Sequence, residues 1–210
     1  MIRVLLADDH PVVRSGYLRL LEQEPDIRVI AEAATGEEAY AAFVADPPDV
    51  LATDLAMPGG GGLELIRRVL LRAPDARILV FSMYDSELLV RRALEAGARG
   101  FLTKGAAPQS LVDAVRALHV GERCVGANLA DQRDPTREAE RLAELSLREF
   151  EIFRLLAQGH SPAECARALK LSAKTVSNHQ SAIKEKLGVT TSAALAHLAI
   201  RHRLIDTALA

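Results

Sequence analysis

Residues 1–22 read MIRVLLADDHPVVRSGYLRLLE, a short apolar run followed by an amphipathic stretch. The run Arg3–Ala7 is compact and rich in Val and Leu, which is typical of a strand that is buried on both faces. In Val12–Glu22 the apolar residues recur on one face at helical spacing, so we expect a helix there. The start of the chain therefore predicts a β-strand that leads into an α-helix.

The same alternation continues through the first half of the chain. Further Val-, Ile- and Leu-rich runs predict strands at Arg28–Ala33, Val50–Thr53, Arg77–Phe81 and Gly100–Leu102. Amphipathic stretches lie between and after them, among them Leu63–Leu71 and Pro108–Val120. Five strand-helix units predict an α/β domain with a flavodoxin-like (βα)5 fold, whose parallel strands lie in the order 2-1-3-4-5.

A polar segment with little periodicity separates this half from a helical C-terminal part. It runs from Gly121 to about Arg141, and its composition suits an interdomain linker. Beyond it, Ser146 and Ser161 each begin an S-x-x-E capping box, and Ser172 can cap a third helix, so we expect a small all-α domain. The predicted boundaries are 1–120 for the α/β domain, 121–141 for the linker and 142–210 for the helical domain.

The net charge of −2 conceals a difference between the two halves. Residues 1–119 carry a net charge of −4, and residues 142–210 carry a net charge of +3. A basic domain is a candidate for binding nucleic acid, although many domains with a surplus of this size touch no DNA. Charge alone therefore leaves the function open.

The sequence offers no segment typical of a membrane protein or of a disulfide-rich one. No stretch approaches the roughly 20 apolar residues that cross a bilayer, and the N-terminal apolar run is too short for a signal peptide. Cys124 and Cys165 are too few for a disulfide framework or a zinc site, and we expect both to be reduced. We predict a cytoplasmic protein without a membrane partner.

The ends of the predicted strands carry an unusual set of side chains. Asp8 and Asp9 close the first strand, Asp54 closes the third, Ser82 closes the fourth, and Lys104 follows the fifth. Ligands of a doubly wound sheet bind beyond the carboxyl ends of its strands, so these groups should lie together. Three carboxylates would repel one another, and a hard cation such as Mg²⁺ would relieve that repulsion. Such a site could bring a phosphoryl donor to a carboxylate nucleophile, with Lys104 and Ser82 on the phosphoryl oxygens.

Four runs around these residues resemble the receiver domains of response regulators, over residues 1 to about 120. They are VLLADDHPVVRSG, PDVLATDLAMPGGGGLELI, ILVFSMYD and AGARGFLTKGA. The resemblance implies that Asp54 is the phosphoacceptor of a sensor histidine kinase. It also implies that Asp9 and Asp54 bind Mg²⁺ with the backbone carbonyl of Ala56, while Asp8 shapes the same acidic cluster.

The same resemblance assigns three further positions. Lys104 would be the phosphate-binding lysine, and Ser82 would be the conserved hydroxyl. Phe101 occupies the switch position, where many receivers have tyrosine, and it would turn inward when Ser82 moves. One departure is the loop Pro58–Gly62, whose four glycines suggest more mobility beside the site than usual.

The predicted third helix of the C-terminal domain, Ala173–Leu187, has an apolar face and a polar face. The residues that should pack inward are Val176, Ile183 and Leu187, with Gln180 between them. The candidates for reading bases in a major groove are Ser177, Asn178 and Ser181. The candidates for contacting phosphates are Lys174, Lys184 and Lys186. Polarity alone would also suit an ordinary solvated helix.

The segment LSLREFEIFRLLAQGHSPAECARALKLSAKTVSNHQSAIKEKLGV resembles the LuxR-type helix-turn-helix of the NarL/FixJ response regulators, over roughly residues 143–205. The resemblance implies that Ala163–Leu169 is the positioning helix and Ala173–Leu187 the recognition helix. The residues that it implies on the DNA backbone are Lys174, Thr175 and Lys186. His179 is read as a structural or phosphate-contacting residue rather than as a metal ligand.

Together the two halves are identified as a two-component response regulator, in which phosphorylation of Asp54 controls sequence-specific DNA binding and transcription. The expected partners are a sensor histidine kinase, a double-stranded DNA operator, RNA polymerase and, once phosphorylated, a second copy of the chain. At rest we expect the receiver to cover the recognition helix. The expected chemistry is limited to phosphorylation and dephosphorylation of Asp54 itself, so the protein is not predicted to be an enzyme.

Two other classes of function are alternatives to this one. A phosphatase of the haloacid dehalogenase type also uses strand-end acids and Mg²⁺, but its nucleophile follows the first strand, whereas Asp54 ends the third. A DNA-binding protein with a degenerate receiver would not need the intact set of strand-end residues. Transfer of a phosphoryl group from acetyl phosphate to Asp54 separates these alternatives.

Overall fold

The computed structural model describes residues 1–58, 61–84, 86–125 and 137–205, and the chain divides into two compact units. The first unit contains a parallel sheet with the strand order β2-β1-β3-β4-β5-β6. Its strands are β1 (Ile2–Ala7), β2 (Ile27–Ala33), β3 (Val50–Thr53), β4 (Ile78–Ser82), β5 (Gly100–Thr103) and β6 (Cys124–Val125). The predicted flavodoxin-like order of the first five strands and their parallel direction are confirmed.

The sixth strand was not predicted from the sequence. β6 has two residues and pairs with β5, Cys124 opposite Gly100 and Val125 opposite Phe101. Two residues carry too little pattern to indicate a strand, so this segment was assigned to the linker. The linker proposed for residues 121–141 thus contains β6, and its residues 126–136 lie outside the described part of the chain.

The helices of the first half follow the strands along the chain. They are α1 (Pro11–Glu22), α2 (Gly36–Ala45), α3 (Gly61–Arg72), α4 (Glu87–Glu95) and α5 (Pro108–His119). All residues of β3 and β4 are buried, which explains why their sequences are continuous apolar runs. Helix α5 contributes Leu111, Val115 and Leu118 to the core against the sheet. Because the strands are parallel, the carboxyl ends of β1, β3, β4 and β5 lie at one edge of the sheet.

The second unit contains the helices α6 (Arg137–Ala143), α7 (Leu147–Ala157), α8 (Pro162–Leu169), α9 (Ala173–Leu187) and α10 (Ser192–Arg201). Both predicted capping boxes are confirmed: in α7 the Ser146 hydroxyl accepts a hydrogen bond from the backbone of Glu149, and the Glu149 carboxylate accepts one from the backbone of Ser146. Gly188 ends α9 in the left-handed conformation, with φ of 69°. None of the helices in the described residues is long and apolar enough to cross a bilayer.

Candidate functional site

Two neighbouring central strands place acidic side chains side by side. Ala7, the last residue of β1, pairs with Thr53, the last residue of β3, and the backbone of Asp54 donates a hydrogen bond to the Ala7 carbonyl at 2.9 Å. Asp8 and Asp54 therefore leave the sheet at the same level, and both are buried. The predicted convergence of these two strand ends is present in the structure.

A buried lysine lies between these two acids. The Lys104 ammonium is 2.7 Å from Asp8 Oδ2 and 2.6 Å from Asp54 Oδ2, and all three side chains are at most 3% exposed. Burial would lower the pKa of Lys104, but the attraction of Asp54 and Asp8 outweighs it and holds that pKa above its ordinary value. The amine is therefore charged, and the three side chains form a buried ion triad.

The second oxygen of Asp54 is held by the backbone that follows it. Asp54 Oδ1 accepts hydrogen bonds from the amides of Leu55, at 2.6 Å, and Ala56, at 3.2 Å. With Lys104 on Oδ2, the carboxylate is held from both sides. A carboxylate fixed in this way is oriented for nucleophilic use.

Carboxylate oxygens and an imidazole nitrogen converge beside this triad. One ligand atom each from Asp8, Asp9, His10 and Asp54 lies within 4.8 Å of all the others. Asp9 Oδ1 is shielded from solvent and accepts no well-formed hydrogen bond in the described part of the chain, although His10 Nδ1 is 2.9 Å away. Burial raises the pKa of Asp9, and the nearby Asp54 and Asp8 raise it further. The attraction of His10 opposes this shift without cancelling it. A carboxylate oxygen that accepts no well-formed hydrogen bond in the described residues, and that lies among other carboxylates, fits a hard cation.

His10 was not singled out from the sequence. Its backbone donates a hydrogen bond to Asp8 Oδ1 at 2.9 Å, and it is the residue before the first turn of α1. The sequence feature that could have identified His10 is its position directly after the two aspartates that close the first predicted strand.

The other predicted receiver residues lie at the ends of β4 and in β5. Ser82 is fully buried at the end of β4, and its carbonyl accepts a hydrogen bond from the Lys104 backbone at 2.7 Å. Phe101 is fully buried in β5 opposite Val80. Ser82 and Lys104 are therefore joined by a backbone hydrogen bond between the ends of β4 and β5.

Gly62, which the sequence places in a loop expected to be mobile, packs against the backbone beside Asp54. A Cβ atom at this position would lie 2.2 Å from the Asp54 carbonyl oxygen and 2.7 Å from the Leu55 Cα. The Gly62 amide also donates a hydrogen bond to the Leu55 carbonyl at 3.1 Å. The residue lets the first turn of α3 approach the backbone that carries Asp54. Gly59 and Gly60 lie outside the described residues.

We expect Gly62→Ala to lower the free energy of unfolding by about 2–3 kcal/mol, because the methyl group would meet backbone atoms that cannot move aside without shifting Asp54. Gly16→Ala is the matched control, since a Cβ at Gly16 would meet no atom within 4 Å. That change should raise stability by about 0.5–1 kcal/mol, because Gly16 lies inside α1. Urea titration of both variants measures the two effects, and equal stabilities would contradict the steric account.

The second unit presents the polar face of α9 to solvent. Val176, Ile183 and Leu187 are buried, as their spacing predicts. The exposed members of the predicted DNA-contacting set are Lys174, Ser177, Asn178, Ser181 and Lys186. The partly exposed members are Thr175, His179 and Lys184, and Gln180 is also only partly buried.

Lys186, one of the predicted phosphate contacts, forms an ion pair inside its own domain. Its ammonium lies 2.8 Å and 2.7 Å from the two carboxylate oxygens of Glu149. The sequence resemblance implies that this lysine contacts the DNA backbone, and no sequence pattern indicates its pairing with Glu149.

Two known protein families match separate parts of the chain. The family described as response regulator receiver domain matches residues 4–116. The family described as bacterial regulatory proteins, luxR family, matches residues 143–199. The first match contains every predicted phosphorylation-site residue, and the second contains all of α7, α8 and α9.

Similar proteins match nearly the whole chain. Response regulator UvrY of Escherichia coli K12 is 37% identical over 98% of this chain and 97% of its own length. Transcriptional activator protein ExaE of Pseudomonas putida is 40% identical over 98% of this chain and 99% of its own. The structure of RcsB from Salmonella enterica serovar Typhimurium, bound to the rprA promoter with phosphomimetic BeF3⁻, is 30% identical, covers 94% of this chain and 98% of that one, and has a TM-score of 0.73.

Proposed function

The chain belongs to the two-component response regulators that join a receiver to a LuxR-type DNA-binding domain, and we propose that phosphorylation of Asp54 controls its DNA binding. The observation that carries the proposal is the buried carboxylate of Asp54, with Lys104 on one oxygen and two backbone amides on the other. The proposed domains are the receiver 1–120, the linker 121–141 and the DNA-binding domain 142–210. Two-component relatives support a sensor histidine kinase as the phosphodonor.

In the proposed reaction, Asp54 Oδ2 attacks the phosphorus of the donor, and the bond from phosphorus to the donor's leaving group breaks. The product is an acyl phosphate on Asp54. Lys104, already 2.6 Å from the attacking oxygen, would contact the phosphoryl oxygens, and Ser82 would donate its hydroxyl to them. The chain modifies itself rather than turning over a substrate.

The acidic cluster supports Mg²⁺ as the cofactor. Asp9 and Asp54 would bind it with the backbone carbonyl of Ala56, and Asp8 would complete the cluster. When bound, the cation would neutralise charge on the transferred phosphoryl group. Asp9 Oδ1 accepts no well-formed hydrogen bond in the described residues, whereas Asp8 and Asp54 are both paired with Lys104.

We expect Asp9→Asn to slow phosphorylation by acetyl phosphate at least tenfold and to weaken Mg²⁺ binding, because a charged ligand is removed while side-chain size is kept. Glu64→Gln on α3 is the control, since that carboxylate lies outside the acidic cluster and pairs with Arg67. The measurement is the phosphorylation rate as a function of Mg²⁺ concentration, together with a Mg²⁺ titration followed by calorimetry. An unchanged Mg²⁺ titration for Asp9→Asn would show that the cation binds elsewhere.

Signal transfer would begin with the charge of about −1.5 to −2 that phosphorylation adds beside Lys104. The hydrogen bond between the Lys104 backbone and the Ser82 carbonyl would couple the ends of β4 and β5 in the response. Phe101, the aromatic residue of β5, would turn inward when Ser82 moves. The proposed result is that two copies of the chain dimerise on an operator.

The remaining partners follow from the relatives. The RcsB structures, on promoter DNA and as dimers on DNA, support a double-stranded operator and a homodimer for this chain. Ser177, Asn178 and Ser181 are the proposed base-reading residues, with Lys174, Thr175, His179 and Lys184 beside the backbone. RNA polymerase is the proposed partner in transcription, and the cytoplasm is the proposed location.

A further inference from the structure

The last turn of α9 carries a cation whose charge is already paired within the helical domain. Lys186 Nζ donates hydrogen bonds to both carboxylate oxygens of Glu149, at 2.8 Å and 2.7 Å. The Glu149 side chain is only 9% exposed, whereas that of Lys186 is 38% exposed. The Lys186 ammonium therefore contacts a buried carboxylate on α7. Glu149 precedes Lys186 by 37 residues in the sequence.

Glu149 is itself fixed in place by the start of its helix. Its Oε2 accepts a hydrogen bond from the Ser146 backbone at 2.7 Å, and its own backbone donates one to the Ser146 hydroxyl at 3.2 Å. Burial would raise the pKa of Glu149, but the hydrogen bonds from Lys186 and Ser146 outweigh it and hold that pKa below its usual range. The carboxylate is thus ionised at neutral pH, and the ion pair joins the last turn of α9 to the first turn of α7.

A second contact holds the same end of α9. Arg141 of α6 donates a hydrogen bond to the carbonyl of Leu187 at 3.2 Å. A Cβ at Gly188 would come within 2.5 Å of that guanidinium, so the chain passes close beside it. The C-terminal end of α9 is therefore held by α6 and α7, while Lys174 and Asn178 near its N-terminal end are exposed.

We propose that Lys186 is a positioning residue: its ion pair with Glu149 fixes the orientation of the recognition helix, and its charge does not neutralise a DNA phosphate. If the ammonium moved to a phosphate, the Glu149 carboxylate would stay buried without its cation, which is strongly unfavourable. The assignment rests on the proposed DNA-binding function and revises the role that the sequence alone gave this lysine. Lys174, an exposed cation on the same helix, remains a proposed phosphate contact.

The salt dependence of DNA binding separates the two roles. The probe is a mixed-sequence DNA duplex, and the protein is the full-length chain after treatment with acetyl phosphate and Mg²⁺. Lys174→Met should reduce the slope of log affinity against log salt by about 0.9, the value for one lost phosphate contact. Lys186→Met, which keeps the aliphatic stem, should leave the slope unchanged and weaken binding about tenfold at every salt concentration.

A double-mutant cycle tests whether the lysine acts through its partner. Glu149→Gln keeps an oxygen for the Ser146 backbone but loses the charge that holds Lys186. It should weaken DNA binding as much as Lys186→Met does, and the double variant should be no weaker than either single one. Circular dichroism verifies that each variant is folded at the temperature of the titration.

Three results would overturn the proposal. A reduced salt slope in Lys186→Met, equal to that in Lys174→Met, would make Lys186 a phosphate contact. If the folded Lys186→Met and Glu149→Gln variants bound DNA with wild-type affinity, the ion pair would contribute to stability alone. A complete absence of DNA binding by the unaltered protein would refute the proposed function, and the positioning role with it.

Discussion

Asp54→Asn is expected to abolish Mg²⁺-dependent phosphorylation by acetyl phosphate while leaving the receiver folded. An amide oxygen is too poor a nucleophile to form the acyl phosphate, so the loss should be complete rather than partial. Asparagine keeps an oxygen for the amides of Leu55 and Ala56, and Lys104 keeps Asp8 as a partner at 2.7 Å. Intact-mass spectrometry detects the phosphoryl group, and circular dichroism reports the fold.

The matched control is Asp113→Asn, which makes the same change at an exposed aspartate on α5. That variant should be phosphorylated to the same extent as the unaltered protein. Stoichiometric phosphorylation of Asp54→Asn would instead place the phosphoacceptor at another residue.

Lys104→Met should lower the free energy of unfolding of the receiver by about 3–5 kcal/mol when no divalent cation is present. The substitution keeps a long aliphatic side chain but leaves two buried carboxylates, Asp8 and Asp54, without the cation that lies between them. Adding Mg²⁺ should recover part of the loss, because a cation that binds only the folded state stabilises it. Urea unfolding with and without Mg²⁺ measures both effects.

Lys174→Met serves as the control, since it removes the same group from an exposed position on α9. Its effect on stability should stay within about 0.5 kcal/mol. If Lys104→Met cost no more than Lys174→Met, the buried ion triad would make no net contribution to the folded state.

The parts of the fold that the sequence predicted well are those with the strongest burial. β3 and β4 are buried along their whole length, so their sequences are uninterrupted apolar runs that could be recognised without the structure. β6 could not be recognised, because its two residues are held by pairing with β5 rather than by a pattern of their own. Helix α9 was predicted with its observed bounds, because Ser172 and Gly188 mark its two ends.

The candidate site was predictable where chain topology brings residues together. Parallel strands end at one edge of the sheet, so Asp8, Asp54 and Lys104 had to converge there once the strands were assigned. The role of Gly62 depends on how closely α3 approaches the Asp54 backbone, which is a property of packing and has no sequence pattern. The pairing of Lys186 with Glu149 likewise depends on how α7 and α9 pack.

We expect the phosphorylation state of Asp54 to set the affinity of the DNA-binding domain for its operator. Genome-wide mapping with the phosphorylated protein supplies an operator, and the affinity of the full-length protein for it is then measured before and after phosphorylation at one salt concentration. The account predicts binding that is roughly 5–150-fold tighter after phosphorylation, the usual range of coupling between two sites, and no change for Asp54→Asn. Equal affinity of the unmodified and phosphorylated protein would contradict it.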